Sequence, residues 1–431
     1  MKRFFKDFMI YGMASVIGKI AALLLMPIYT GILSKEEYGA MTVLLVCYGI
    51  VSLFANLNIH SGVARDYYED GVQRKKLVST GFYSILCISV LVCSGMLLSR
   101  HFWMSSVLHL PDRFEWAFIV MLISVPFGSL QSYFFLLTRF KKAPFTYMTG
   151  TLISLFIRLG ISIYGIVVLR AGIVSVFVGG FFAEVFSIVF FGIVNREYID
   201  FTFRWDYFRR ALLFSLPTLP AILAGWVDTS VGQVLIARNI SMEDLGVYAV
   251  AVSLASVFTL ISEALNNIWA PYLFENYKKE GFRQEIRRLF VWIVSGLIVV
   301  SLLLSLLSRP LVLLLSNPGY VEAGKYLSLL CLPMSIYLLF PFASAGVSVS
   351  RDTKHIGIAY VLGSAMNLVC LFFSLPRWGI LTVPLCLALS RITAYTYLYS
   401  VSKKKLAYRL PNALLLLLAV AVIGCYLLKT L

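Results

Sequence analysis

Long apolar runs constrain the fold of this chain more than any other feature. A helix needs about 20 apolar residues to cross the hydrocarbon core of a bilayer, and a helix also satisfies its own backbone hydrogen bonds there. Charged residues make up only 13% of the chain, against about 25% in soluble proteins. The sequence therefore predicts an all-α polytopic membrane protein, which excludes most soluble enzyme folds and intrinsic disorder. Thirteen candidate spans fall near residues 8–33, 39–61, 78–99, 116–138, 145–169, 172–194, 211–237, 246–270, 289–308, 325–350, 356–375, 379–400 and 411–428.

The basic residues between these spans predict the orientation of the chain. With the N-terminus in the cytoplasm, the inner segments hold 25 Lys and Arg residues and the outer segments hold 9. Cytoplasmic loops carry an excess of Lys and Arg in membrane proteins. The sequence therefore predicts a multi-pass protein of the bacterial cytoplasmic membrane with its N-terminus inside, and the net charge of +16 needs no nucleic acid to explain it.

Two segments 207 residues apart resemble each other and indicate an internal duplication. The clearest match aligns Ser34–Gly39 with Ser241–Gly246, which share an S-x-E-acidic-x-G pattern after the first helix of each half. Polar turn residues coincide by chance less readily than apolar helix residues do. The other coincidences are Lys2–Arg3 with Arg209–Arg210, Gly18 with Gly225, Pro126 with Pro333 and Gly150 with Gly357.

The duplication predicts two parallel six-helix lobes, since each half begins on the same side of the membrane. We assign residues 1–200 to the N-terminal lobe and 201–402 to the C-terminal lobe. Residues 403–431 form a basic linker and a thirteenth span, which has no counterpart at the 207 offset and so lies outside a twelve-helix core.

Glycine and proline residues interrupt the first and seventh helices, which occupy corresponding positions in the two halves. Transporters with internal repeats often bind substrate beside such interrupted helices. We therefore expect a cavity between helices 1 and 7, although glycine and proline are also common in membrane helices in general. The residues are Gly12, Gly18 and Pro27 in helix 1, and Pro217, Pro220, Gly225 and Gly232 in helix 7.

Six ionisable residues lie within the predicted spans. Each costs about 2.5–3.5 kcal/mol at the bilayer centre by insertion scales, so such residues usually face a cavity or a partner. Two readings stay open, either a polar cavity for a charged substrate or ion, or buried pairs of Glu184 with Arg391 and of Lys19 with Asp228 that fix helix packing. The six are Lys19, Arg158, Glu184, Asp228, Glu263 and Arg391, with Asn56, which aligns with Glu263, and Asn367 as supporting polar residues.

No motif in the sequence indicates a metal, a cofactor or a nucleotide. The four histidines lack ligand spacing and the seven cysteines lie in apolar runs. The segment Gly319–Lys325 spells G-x-x-x-x-G-K, but Tyr326 replaces the Ser or Thr that would hold magnesium.

The opening of the chain resembles a known family. A basic N-terminus, Tyr11–Gly12, Lys19 and then the segment Pro27–Gly39 (PIYTGILSKEEYG) are similar to the start of bacterial polysaccharide exporters in the multidrug/oligosaccharidyl-lipid/polysaccharide (MOP) superfamily. Their first helix commonly carries a lysine or arginine and ends in P-x-x-T-R-x-L-x-x-x-x-[YF]-G. This chain has Gly31 where arginine is usual. The resemblance therefore supports an inference about the fold more strongly than an inference about the substrate.

The resemblance implies a flippase that moves a polyprenyl-diphosphate-linked oligosaccharide, such as an O-antigen, capsule or exopolysaccharide repeat unit, to the outer leaflet by alternating access. It implies Lys19, Arg158 and Arg391 as cations that bind the substrate in a central cavity. Glu184, Asp228 and Glu263 are candidates for H⁺ or Na⁺ coupling. The implied partners are the lipid-linked oligosaccharide and the bilayer, with glycan polymerase machinery as a further candidate.

Two alternatives remain at this point. A multidrug antiporter of the same fold would extrude organic cations, for which an acidic cavity is expected, whereas this chain has three cations beside three acids within its predicted spans. A membrane glycosyltransferase, polymerase or ligase would usually place catalytic residues in a sizeable external loop. The outer loops 99–115 and 309–325 are short and contain no evident carboxylate pair, so we expect a transporter rather than an enzyme.

The charge asymmetry generates a test of topology. Cysteines placed at Lys35 and Arg238 should react with an impermeant thiol reagent added outside sealed cells, whereas cysteines at Lys75 and Lys279 should react only after the membrane is opened. Labelling at position 75 in sealed cells would contradict the predicted orientation.

Overall fold

The computed structural model describes the backbone of residues 2–430 and the side chains of residues 13, 16–266 and 268–428. Within these residues every regular element is helical, as expected for a chain that must satisfy its backbone hydrogen bonds inside a bilayer. Thirteen long helical segments overlap the thirteen predicted spans. They are α1 (Lys2–Ile32), α2 (Lys35–Asn56), α3 (Arg74–Leu98), α4 (Glu115–Phe140), α5 (Pro144–Val167), α6 (Val174–Val194), α7 (Trp205–Asn239), α8 (Met242–Asn276), α9 (Phe282–Leu306), α10 (Ala323–Val349), α11 (Lys354–Trp378), α12 (Thr382–Leu406) and α13 (Ala413–Thr430).

Ten of these segments in the described chain are long and apolar enough to cross a membrane. Within the described side chains, shorter apolar stretches run over Val16–Ile32 of α1 and Ala413–Leu428 of α13. Segment α12 is not among the ten, and its last turn contains three lysines. The all-helical, multi-pass fold is confirmed. The division into twelve core spans and one extra span, and the boundaries 1–200, 201–402 and 403–431, stay predictions.

Three of the segments are interrupted. In α7 a 3₁₀ turn at Leu216–Thr218 separates Trp205–Ser215 from Leu219–Asn239, at a point where Pro217 cannot donate a backbone hydrogen bond. Segment α8 divides at Ser256 and α10 at Leu339. Short helices lie between the long ones, at Ile59–Asp66, Arg100–Phe102, Trp103–Leu108, Asp112–Phe114, Arg196–Tyr198, Ser308–Leu315 and Pro318–Tyr320.

The repeated S-x-E-acidic-x-G pattern forms the same structure twice, a helix N-cap. Ser34 accepts a hydrogen bond from the backbone N–H of Glu37 at 3.1 Å, and the Glu37 carboxylate accepts one from the Ser34 N–H at 2.8 Å. Ser241 likewise accepts from the Asp244 N–H at 3.0 Å and donates to the Asp244 carboxylate at 2.6 Å. The caps satisfy orphan N–H groups at the starts of α2 and α8, which explains why these polar residues recur.

The chain divides into two compact units. The first unit comprises the chain up to Ala22 together with Ile32–Leu219, and the second comprises Leu23–Gly31 together with the chain from Pro220 onward. Four helix pairings of the first unit recur at equivalent positions in the second. They are α2 with α4 and α8 with α10, α3 with α4 and α9 with α10, α4 with α6 and α10 with α12, and α5 with α6 and α11 with α12.

The last helix packs into the core of the second unit. Segment α13 contacts α9 and α10, and its Leu418 and Val422 are fully buried. The linker before it is fixed by Tyr408, whose hydroxyl donates to the Phe342 carbonyl at 2.6 Å. On the same side of the unit, the hydrogen bond from Lys405 lowers the pKa of the Asp352 carboxyl and ties the end of α12 to the start of α11.

The two caps generate a stability prediction. Ser34→Ala and Ser241→Ala should each lower the free energy of unfolding by about 1 kcal/mol, because each leaves backbone N–H groups without a partner. Thermal unfolding of the purified protein in one detergent measures the loss. Ser256→Ala is the matched control, since Ser256 precedes a helix without a side-chain cap, and an equal loss there would show that the caps contribute nothing specific.

Candidate functional site

The first unit contains an ion pair between neighbouring helices. Arg158 of α5 lies 3.5 Å from Glu184 of α6, measured from Nη2 to Oε1. The Tyr48 hydroxyl of α2 donates to the same oxygen at 2.9 Å. The Arg158 side chain is 46% exposed, whereas the Glu184 side chain is only 4% exposed. The pair therefore combines a buried carboxylate with a guanidinium group that is partly exposed.

Two glycines allow the helices around this cluster to pack closely. A Cβ at Gly179 would lie 2.7 Å from the Arg158 carbonyl oxygen, so α5 and α6 approach as closely as they do only because residue 179 has no side chain. A Cβ at Gly128 of α4 would overlap the Tyr48 hydroxyl and lie 3.2 Å from the Glu184 carboxylate. These two positions are fixed as glycine by the polar cluster that they surround.

The second unit contains a different ion pair. Arg391 of α12 lies 3.4 Å from Asp228 of α7, measured from Nε to Oδ2, and the two side chains are 4% and 12% exposed. Ser390 donates a hydrogen bond to the other carboxylate oxygen of Asp228. Arg391 also donates to the carbonyl of Pro333 at 2.9 Å and lies over the ring of Tyr337 at 4.9 Å. The charge of Arg391 is thus satisfied on several sides within the protein.

Each acid has an arginine partner within its own unit, Glu184 with Arg158 and Asp228 with Arg391. The sequence suggested Glu184 with Arg391 and Asp228 with Lys19 instead, and did not identify either of these arginine pairs. The offset of 207 residues aligns Glu184 with Arg391, so the sixth helix of each unit carries an ionisable residue at the same position with opposite charge. Each of these residues lies beside a proline-containing helix, at Gly128 of α4 and at Pro333 of α10.

The Asp228–Arg391 pair lines a cavity of about 370 Å³ within the second unit. Hydroxyl and aromatic side chains of α7, α8, α10 and α11 form much of its wall. Gly225, which aligns with Gly18, lies in the lining. A volume of this size falls in the range of small-molecule sites.

The remaining predicted site residues lie in several places. Asn367 of α11 is buried and donates to the Asp228 backbone carbonyl at 3.1 Å, so it belongs to the second-unit cluster. Asn56 ends α2 and accepts from the Asn58 N–H at 2.8 Å. Lys19 lies partly exposed in α1, and Glu263 lies exposed in α8. The structure thus groups Asp228, Arg391 and Asn367, and separately Arg158 and Glu184; the predicted cavity between helices 1 and 7 stays a prediction.

Sequence reasoning missed the uncharged members of both clusters. These members are Tyr48, Ser390, Tyr337 and Tyr360, and all four lie in apolar runs. Within such a run, residue spacing does not distinguish a tyrosine or serine that faces a cavity from one that faces lipid. Of these four, only Ser390 could have been identified from the sequence, because it directly precedes an intramembrane arginine.

The fold and the site together define a class of protein: a polytopic helical membrane protein with buried polar clusters inside its helical units. Solved structures share this fold. The chain matches the lipid II flippase MurJ in an inward closed conformation with a TM-score of 0.73 at 16% identity, covering 98% of each chain. It also matches an inward-facing multidrug resistance MATE transporter of the MOP superfamily with a TM-score of 0.71 at 14% identity, covering 89% of this chain and 93% of the other.

The sequence comparisons then give the family. Residues 28–324, more than half of the chain, match the family described as polysaccharide biosynthesis protein. The chain is also 20% identical over 306 residues to protein 1 of the Lsg locus of Haemophilus influenzae, which is 69% of this chain and 72% of that protein. The chain belongs to the polysaccharide biosynthesis protein family, as the resemblance of its opening segment to polysaccharide exporters predicted, and it shares its fold with a transporter of the MOP superfamily. The solved proteins that share its fold are a flippase and a multidrug transporter.

The buried pair of the second unit generates a stability prediction. Asp228→Asn and Arg391→Met should each lower the free energy of unfolding by about 3 kcal/mol, because each leaves one buried charge without its partner. The double variant should lose less than either single variant, since no uncompensated charge remains. Denaturant unfolding in one detergent measures all three.

Arg210→Gln is the control for this cycle. Arg210 pairs with Asp206 at 3.9 Å and both side chains are about half exposed, so its removal should cost under about 1 kcal/mol. Additive losses in the Asp228 and Arg391 double variant would show that the two residues act independently.

Proposed function

We propose that this protein is a flippase for a polyprenyl-diphosphate-linked oligosaccharide, a repeat unit of an O-antigen, capsule or exopolysaccharide. It carries the lipid-linked glycan from the inner to the outer leaflet of the bacterial cytoplasmic membrane by alternating access, with its own N-terminus in the cytoplasm. The proposal is supported by the match to a polysaccharide biosynthesis family and by a fold shared with a lipid II flippase.

The observation that carries the proposal is the different exposure of the two arginines. Arg158 is 46% exposed and Arg391 is 4% exposed. A diphosphate needs cations that it can reach and that donate charge-assisted hydrogen bonds. We therefore assign the diphosphate to the first unit, to Lys19 and Arg158, and give Arg391 a role in holding Asp228.

The membrane potential favours this direction of transport. Moving one elementary charge across 100 mV is worth about 2.3 kcal/mol, and an interior-negative potential drives an anionic diphosphate outward. Coupling to H⁺ or Na⁺ through Glu184, Asp228 or Glu263 stays a prediction. Glu184 fits best, because its Oε2 atom is buried and has no hydrogen-bond partner among the described residues, while the Asp228 carboxylate accepts hydrogen bonds from both Ser390 and Arg391.

Fewer observations support the alternative of a multidrug antiporter than support a flippase. MATE transporters share the fold, but a fold does not specify the substrate, and the family match concerns polysaccharide biosynthesis. A cavity for organic cations also needs unpaired acids, whereas both Glu184 and Asp228 pair with arginine.

A set of charge variants tests the flippase. In cells that lack the chromosomal gene, wild-type protein should restore surface glycan, and Lys19→Gln should restore at least about tenfold less. Lys19→Arg should restore more than Lys19→Gln, because the positive charge is kept. Surface glycan and inner-leaflet lipid-linked oligosaccharide are measured together, and membrane abundance of each variant is matched by immunoblot.

Arg158 allows a sharper comparison. Arg158→Gln alone leaves Glu184 buried without a partner, so its loss of export is ambiguous. The double variant Arg158→Gln with Glu184→Gln removes that uncompensated charge. If Arg158 binds the diphosphate, export stays low in the double variant, whereas recovery of export would show that Arg158 serves only to neutralise Glu184 and would refute its assignment.

A further inference from the structure

The second unit contains two cavities that adjoin each other. Beside the cavity of about 370 Å³ lies another of about 200 Å³. Tyr337 of α10 and Tyr360 of α11 line both cavities. The two spaces therefore adjoin at these two tyrosine side chains, and together they are called the recess below.

This recess carries no net charge. The larger cavity contains one acid and one base, Asp228 and Arg391, which pair with each other. The lining of the smaller cavity includes no Asp, Glu, Lys, Arg or His among the described residues. A ligand with a formal charge would find no uncompensated opposite charge here, which disfavours both a diphosphate and an organic cation.

The lining instead offers flat aromatic faces beside uncharged hydrogen-bonding groups. Tyr337 packs against Phe340 with ring centroids 5.4 Å apart, and Phe340 packs against Tyr360 at 5.9 Å. Trp269 and Asn266 also line the smaller cavity, together with Ala270, Pro341, Ser344, Ile356 and Leu398.

Hydroxyl and amide groups line part of the larger cavity, beside the apolar side chains of Val252, Leu330, Met334 and Leu387. Thr229, Ser230, Gln233 and Ser256 can each donate and accept hydrogen bonds. The ligand class that combines an apolar C–H face with a rim of hydroxyl groups is an uncharged sugar. Aromatic ring faces are negative and attract C–H groups, while the hydroxyl rim exchanges hydrogen bonds with side chains of this kind.

We propose that the recess of the second unit is a binding site for the uncharged sugar residues of the glycan, with Tyr337 and Tyr360 stacking on successive sugar rings. The inference rests on the proposed function and deepens it, because it separates the recognition of the glycan from that of the diphosphate. The first unit supplies cations, and the second unit supplies a neutral, aromatic and hydroxyl-lined surface.

Two probes test the assignment with the purified full-length protein in lipid nanodiscs. One is the oligosaccharide released by mild acid from the lipid-linked glycan of the host, and the other is undecaprenyl diphosphate without sugar. Equilibrium dialysis should show that wild type binds both probes. Tyr337→Ala and Tyr360→Ala should each weaken binding of the oligosaccharide at least about tenfold and change binding of undecaprenyl diphosphate less than about twofold.

Conservative variants separate ligand contact from folding. Tyr337→Phe and Tyr360→Phe keep the rings and should keep oligosaccharide binding within about threefold of wild type, even if an alanine variant unfolds. Tyr277→Ala is the matched control, because Tyr277 belongs to the same unit and packs against its core without lining either cavity. Binding in this control should equal that of wild type.

The outcomes distinguish the site from the function. If wild type binds undecaprenyl diphosphate but not the oligosaccharide, or if both alanine variants bind the oligosaccharide normally, the sugar site is wrong and the flippase proposal survives. If wild type binds the oligosaccharide but not undecaprenyl diphosphate, the flippase proposal fails and the sugar site stands. Tight binding of tetraphenylphosphonium that Tyr337→Ala abolishes would instead assign the recess to organic cations.

Discussion

The cost of burying charge in a low-dielectric interior governs the polar structure of both units. An isolated ion buried in a protein is destabilising by several kcal/mol, and a pair is tolerated only when geometry and further hydrogen bonds satisfy both groups. The second unit meets this condition with Ser390 beside Arg391 and Asp228. In the first unit Tyr48 and Arg158 both contact Oε1 of Glu184, and its buried Oε2 has no hydrogen-bond partner among the described residues. Gly128 and Gly179 lie against the first of these clusters, and the second cluster lines the larger cavity.

Four helix pairings recur in the two units, but the ion pairs of the two units are arranged differently. The sixth helix of the first unit contributes the acid of its pair, and the sixth helix of the second contributes the base. In the first unit the arginine is the exposed partner, so positive charge is available to a ligand. In the second unit both partners are nearly buried, and the cavity beside them is neutral. The two units therefore differ in the charge that they offer to a ligand, as the substrate that we propose, an anionic diphosphate joined to uncharged sugars, would require.

Small residues permit this arrangement. Without a strong hydrophobic driving force between helices inside a bilayer, close packing requires residues that let backbones approach. Gly179 brings α5 and α6 together, and Gly363 does the same for α11 and α12, where an added Cβ would lie 3.1 Å from the Ser390 carbonyl oxygen. The equivalent helix pairs of the two units therefore each depend on a glycine, which lies against Arg158 in the first unit and against Ser390, the neighbour of Arg391, in the second.

The sequence by itself determined the class of fold, the family and the repeated turn. Apolar run length reports membrane helices directly, because the thickness of the bilayer is fixed, and the S-x-E-acidic-x-G pattern is local, so its N-cap forms wherever the helix begins. The sequence also identified Arg158, Glu184, Asp228 and Arg391 as costly residues that need partners. Only the tertiary structure decided which partner each one has, because pairing depends on which helices are neighbours, and neither spacing nor composition reports that. The sequence did not identify the tyrosines of the recess for the same reason. Whether a tyrosine in an apolar run lines a cavity depends on which helices surround it.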